Sequence, residues 1–244
     1  MNHEHDIQTT GDTMISKEPF HINFYIDGFT LKKVNDYYRN HHPLHAAVDF
    51  IALRNWARQQ AIRLFDPPKK YATMECHYYH PYKDQKRSGA QRQGMVNFER
   101  ELRHAGFQIH YLQEVGDAGN KPNMDMISDA TRFACYREVD AVILLTTQGQ
   151  FSPLPGRLKG MGIPTLLLGW NFCYEKESRL VHWKTDSLLK SRSDYYIAME
   201  QVANKNLPRY SPNVNLFKTK NRRPQPPVFH QDIFCNKVTA CSAA

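Results

Sequence analysis

The run Val142-Ile143-Leu144-Leu145, followed by Thr146-Thr147-Gln148-Gly149-Gln150-Phe151, constrains the fold more than any other feature. Four consecutive apolar residues make a buried strand. The strand opens into a short polar turn that ends on Phe151. Near the start, residues 21–26 read as another strand, with Ile22, Phe24 and Ile26 on one face and Tyr25 on the other. That strand runs into Asp27, and Gly28 permits a tight turn after it.

Between and beyond these two strands the pattern alternates. Residues 30–39 read as a helix. Residues 49–64 form a stronger one, since Phe50, Leu53, Trp56, Ala57 and Ile62 recur near helical spacing and Asp66-Pro67-Pro68 stops it. Residues 71–79 read as a strand, 84–94 as a polar basic loop, 96–105 as a helix closed by Gly106, and 107–112 as a strand. A turn-rich loop at 116–122 leads into a helix over 124–136, which sets Asp125 and Asp129 four apart on one face. After the strand at 141–145 come a helix at 153–161 and a strand at 164–168. A short helix at 180–189, an edge strand at 194–197 and a last helical stretch at 197–203 complete the pattern. Such alternation predicts an α/β fold of three layers, a central mostly parallel sheet of about five strands flanked by helices. Ligands in such sheets lie beyond the carboxyl ends of the strands, so Asp27 and the turn at 146–150 are expected in one cleft.

The ends differ from the middle. Residues 1–20 read as a disordered leader, 21–203 as the folded domain, and 204–244 as a Pro-rich arm that holds seven Lys/Arg and one Asp, much of the formal charge of +8. A basic balance favours polyanionic partners, nucleic acid first. No stretch approaches the roughly 20 apolar residues of a membrane span. The five cysteines form no Cys-x-x-Cys pair, and a reducing cytoplasm is the simplest compartment. His41, His42, His77 and His80 lack a metal-ligand spacing on one helix and read as polar groups of loops and strands. Lys83, Lys86, Arg87 and Arg92 follow Tyr78, Tyr79, His80 and Tyr82. Basic side chains beside aromatic ones suit single-stranded RNA, with charges on phosphate and rings on bases. Lys121 and the arm residues Arg222 and Arg223 suit the same chemistry, and the basic run at 218–223 fits a localisation patch or plain linker as well.

Taken in order, these elements resemble the NYN family, the LabA-like branch of the PIN-type nucleases. The likeness runs over roughly residues 21–200. It rests on Ile26-Asp27-Gly28-Phe29, the strand ending at Tyr79, Gly106-Phe107, the segment from Lys121 to Asp129, and the turn that ends on Phe151. In that family the first strand ends in an Asp, as at Asp27. A later strand usually ends in Ser-Gly-Asp-x-Asp-Phe, and here the two carboxylate places stand as Gln148 and Gln150. A Lys-Gly-x-Asp segment usually leads the helix, with a second Asp six residues on. Counting back six from Asp129 lands on Asn123, with Asp125 two places later. The resemblance implies metal-assisted hydrolysis of RNA phosphodiesters by Mg²⁺ or Mn²⁺, with Asp27 as the central ligand and Asp129 or Asp125 as a second. Two missing charges beside a divalent ion cost several kcal/mol even at an effective dielectric of about 20. Metal binding is therefore expected to be weak.

The resulting expectation is an RNA-binding protein on a nuclease fold with catalysis weakened or lost. An active metal-dependent ribonuclease and a protein-interaction module are the alternatives, and a homodimer is compatible with each. Asp27 has a plainer role open to it as the cap of the helix that follows.

Overall fold

The structure is a computed structural model that describes residues 19–67, 71–81, 90–112, 122–136, 139–204 and 215–218; at 90–92 only the backbone is described. Its centre is a six-stranded sheet in the order β3-β2-β1-β4-β5-β8. The strands are β1 (Phe20–Asp27), β2 (Ala72–Tyr79), β3 (Phe107–His110), β4 (Ala141–Leu145), β5 (Thr165–Gly169) and β8 (Tyr195–Ala198). Every pairing in this sheet is parallel. The expected α/β class is therefore observed, and β8 is the edge strand expected at 194–197, the sixth beside the five central ones.

Parallel strands need crossovers, and the helices that supply them cover both faces. One face carries α1 (Gly28–Asn40), α2 (Phe50–Phe65), α3 (Ala90–His104) and α7 (Met199–Ala203). The other carries α4 (Asp125–Tyr136), α5 (Pro153–Gly160) and α6 (Ser187–Arg192). Alternation along the central strands divides the core between them. Ile22, Phe24, Ile26, Ile143 and Leu145 face the first group, while Tyr25, Val142 and Leu144 face the second. All of these are essentially without solvent exposure, which explains why β4 reads as an unbroken apolar run.

Several expectations need correction. The basic loop assigned to 84–94 is helical from Ala90 onward, as the start of α3. The helix assigned to 180–189 is instead strand β7 (Arg179–Trp183), followed by α6. Strand β7 pairs antiparallel with β6 (Phe172–Lys176), in register from Phe172↔Trp183 to Lys176↔Arg179. The two connecting residues, Glu177 and Ser178, both have positive φ, at 50° and 60°. That conformation belongs to the tightest hairpin turns and usually recruits Asn-Gly. Glu-Ser carries no such signature, so the hairpin was hidden. Finally, Leu216 and Phe217, read as part of the arm, are buried in the core beside α1 and α2, and Phe217 bridges Val48.

The sheet order fixes where a ligand belongs. From β1 the chain winds outward through β2 to β3, then returns to the other side of β1 for β4. The direction of winding reverses between β1 and β4, and crevices in open α/β sheets lie at that reversal, beyond the carboxyl ends. Asp27 ends β1 there, and Thr146-Thr147 follow β4.

Candidate functional site

Asp27 is the hub of this crevice. It caps α1, with one carboxylate oxygen accepting from the Phe29 N–H at 3.0 Å. Its other oxygen accepts from the Thr30 N–H at 3.2 Å, the Thr30 hydroxyl at 2.7 Å and the Thr146 hydroxyl at 3.1 Å. Asp27 has 0 % exposure. Burial pushes its carboxyl up to about 6, although all four hydrogen bonds favour the charged form. The plainer reading of Asp27 as a helix cap is thus the geometry observed.

The polar turn feeds this hub. The Thr30 hydroxyl has one proton, which it gives to Asp27. Thr147, whose hydroxyl lies 3.1 Å from that of Thr30, must therefore donate to Thr30. Gln148 in turn donates its side-chain N–H to the Thr147 hydroxyl at 3.0 Å, and its backbone N–H to Thr146 at 3.2 Å. A directed chain runs from Gln148 through Thr147 and Thr30 to Asp27. An Asp at 148 is acceptor-only when ionised and has no proton to start this chain. Gln150 lies exposed on the short 3-10 turn Gly149–Phe151, outside that chain.

The other predicted acidic positions go elsewhere. Asn123 is fully buried; its Oδ1 accepts from the Asp125 N–H at 3.1 Å and its Nδ2 donates to the His80 carbonyl at 3.2 Å. It ties the start of α4 to the end of β2, using both ends of its amide. Asp125 opens α4, where the helix dipole favours an anion, and its Oδ2 is enclosed with no hydrogen-bond partner among the described residues. Asp129 accepts from the Tyr79 hydroxyl at 3.0 Å and from Arg132 at 2.8 Å, with His110 at 3.9 Å. Burial and the Asp129 carboxylate push the Tyr79 phenol up, so it stays a donor. Burial lowers His110 despite the neighbouring Asp129. Among the described residues Asp27 and Asp129 share no hydrogen-bond partner.

The residues do not fit a divalent metal. Asp27 is saturated and sealed, Asn123 is committed at both ends, and Gln148 presents an N–H rather than an anion to the hub. Among the described residues no group of three or more His, Cys, Asp or Glu side chains is placed to hold an ion. Hard cations require clustered oxygen ligands, chiefly anionic ones.

What opens to solvent is a cleft of about 500 Å³ beside the hub. One wall is Thr147, Gln148 and Gly149; the other is His182, Trp183, Lys184, Thr185, Asp186 and Ser187. The sequence reading missed this second wall entirely. Asp186 caps α6 by accepting from the Leu189 N–H at 2.9 Å, and it packs against Gly149. Of the predicted RNA contacts, Lys83, Lys86, Arg87, Lys121, Arg222 and Arg223, with the side chain of Arg92, lie outside the described residues.

A three-layer α/β domain with a polar crevice at the β1/β4 reversal defines a PIN-like, nuclease-type fold. Comparison with known proteins agrees. The NYN domain model matches residues 21–200, and the chain belongs to the NYN domain family. The fold is similar to the crystal structure of a protein of unknown function from Vibrio parahaemolyticus, with 20 % identity, 76 % of this chain and 96 % of that one covered, and a TM-score of 0.50. No curated protein matches the chain. NYN nucleases are generally divalent-metal dependent, and the family generally binds RNA. Among the described residues no helix is long and apolar enough to cross a membrane.

Proposed function

We propose that this protein binds single-stranded RNA on an NYN fold whose metal-dependent phosphodiester hydrolysis is weakened or lost. The state of Asp27 carries the reading. The carboxylate at the family's central ligand position has become the buried acceptor of four hydrogen bonds. A cation placed there would have to displace those donors and open the hub to the ion's remaining ligands, with no neighbouring anion at 123, 148 or 150 to offset the cost.

Binding without cleavage needs recognition chemistry, and the family's partner class together with the formal charge of +8 supports RNA. Lys83, Lys86, Arg87, Arg92 and Lys121 supply phosphate contacts in this reading, and Arg222 and Arg223 extend them along the arm. The domain runs over 21–203, with the arm following it and returning to the core at 215–218. A reducing cytoplasm suits Cys76, Cys135 and Cys173, which are free thiols.

The test is binding of a labelled single-stranded RNA over a range of salt, in EDTA and again in Mn²⁺, followed by gel analysis of the RNA. The expected result is salt-dependent binding of equal strength in both media and an intact RNA. Mn²⁺-dependent cleavage abolished by Asp27→Asn would instead establish the active ribonuclease. Absence of RNA binding would leave the protein-interaction module.

A further inference from the structure

The hairpin β6–β7 packs on one stripe of α1. Phe29, Lys33, Tyr37 and His41 recur every four residues, and so share a helix face. Each meets the hairpin. Tyr37 stacks on Phe172 with ring centroids 4.3 Å apart and planes 8° from parallel, and His41 stacks on Tyr174 at 4.0 Å. Toward the crevice, Phe29 lies 5.9 Å from Trp183, and the Lys33 ammonium sits 5.7 Å from the Phe29 ring and 5.9 Å from the Trp183 ring.

The two ends of this stripe differ in what they border. Phe172 is buried within the core and its ring lies against that of Trp183, with centroids 6.1 Å apart and planes 12° from parallel; Trp183 is half-buried, with its Nε1 enclosed, and lines the open cleft. The other two tryptophans, Trp56 and Trp170, are sealed in the interior at 2 % and 0 % exposure. Trp183 is thus the one tryptophan placed at the crevice. Its neighbours in the cleft wall are His182 and Lys184, and Lys33 stands over it. The carboxylate of that wall, Asp186, accepts from the backbone N–H of Leu189 at the start of α6.

We propose that Trp183, backed by Phe29 and Lys33, is a stacking platform for a base of single-stranded RNA, with Lys184 and His182 meeting the adjoining phosphate. The proposal rests on the RNA-binding reading above and adds the surface that performs it. An indole offers a large π-face that every base can use. A lysine over the same rings adds attraction both to them and to the phosphate that accompanies a stacked base. The cleft volume of about 500 Å³ lies within the roughly 300–1,000 Å³ usual for small-ligand sites, room for a splayed nucleotide. A duplex keeps its bases stacked on one another and has no free face to offer, so the platform selects single strands.

The experiment follows intrinsic tryptophan fluorescence and the anisotropy of a short labelled oligouridylate together, in EDTA. Because Trp56 and Trp170 are sealed, quenching on binding reports Trp183. The expected result is quenching in the wild type and about tenfold weaker binding by Trp183→Leu. Trp183→Phe, which keeps a ring on the wall, should stay within about threefold of the wild type while losing the quenching. Lys33→Gln should lower the slope of log K against log salt by about 0.7. Should Trp183→Leu fail to fold, the pair Phe29→Leu with Lys33→Gln takes its place, with several-fold weaker binding expected. Oligouridylate bound without quenching, or bound equally by wild type and Trp183→Leu, would overturn the platform while leaving RNA binding intact. Tighter binding of an RNA duplex than of the single strand would overturn it too. No RNA binding at all would overturn both readings.

Discussion

The floor and the far wall of the crevice lie within one cleft and obey opposite rules. The floor, at Asp27, Thr30, Thr146 and Thr147, is polar yet sealed; its donors and acceptors are spent on one another. The wall, at His182–Asp186, borders the open cleft and carries one indole, with Lys184 and Asp186 on either side of the buried Thr185. The family's chemistry belongs on the floor, where carboxylates would gather an ion. In this structure the floor side chains join β1, α1 and β4, and the wall borders the open cleft. The same residue type can serve an ion or a hydrogen-bond network according to its neighbours: here Gln148 starts the donor chain that ends on Asp27.

The tightness of the floor can be challenged directly. A Cβ at Gly28 would fall 2.5 Å from the Tyr79 carbonyl oxygen and 2.8 Å from Pro81. The first of these is backbone and cannot step aside, so Gly28→Ala should destabilise the protein by about 3 kcal/mol or more. At Gly149, beside the wall, the added Cβ meets only the Asp186 side chain, at 2.7 Å. That side chain can rotate at the expense of a helix cap, so Gly149→Ala should cost about 1 kcal/mol. Urea unfolding of both variants measures the contrast; equal losses would mean that floor and wall are equally rigid.

The sealed carboxylate also predicts a pH signature. With its folded pKa raised from 3.8 to about 6, Asp27 holds its proton in the folded chain over a range where the unfolded chain has released it. Its contribution to stability therefore falls as pH rises from about 4 to about 6, by roughly 3 kcal/mol, and is constant above that. Asp27→Asn cannot titrate. Relative to that variant, the wild type should lose stability across this window, as read from unfolding free energies at matched pH. Parallel profiles would show that Asp27 is hydrated rather than sealed.

A smaller effect separates Asn123 from the acidic residue that the family pattern expects there. Asn123→Asp removes the donor to the His80 carbonyl and sets a charge where nothing is exposed. The expected cost is about 2 kcal/mol at neutral pH in EDTA, from the same unfolding measurement. A neutral outcome would mean that the pocket readily accepts an anion, as a metal site does.

Most of the fold was legible because the central strands and helices obey strong periodicities. β4 lies where the apolar run places it, and α2 where Phe50, Leu53, Trp56 and Ala57 recur. The crevice was legible too, since strand order alone brings Asp27 beside the turn after β4. The state of the site was not. Whether Asp27 faces an ion or four N–H and O–H donors depends on Thr30 and Thr146, which look like ordinary small polar residues in the sequence. The wall was invisible for a separate reason: Glu177-Ser178 adopts a positive-φ turn without glycine or asparagine, so Phe172 to Trp183 gave no hairpin signal. Leu216 and Phe217 were similarly masked by the polar, proline-rich composition around them.

In the proposed reading the Asp27 floor is framework and not a metal site. Electron paramagnetic resonance of Mn²⁺ tests it most directly, because the six-line signal of the free ion diminishes as the ion is bound. With Mn²⁺ titrated into the protein at neutral pH, the account predicts the same free-ion signal for wild type and Asp27→Asn, both matching a control protein without metal ligands. A wild-type chain that withdraws Mn²⁺ from solution at stoichiometric concentration, and loses that capacity on Asp27→Asn, would contradict it.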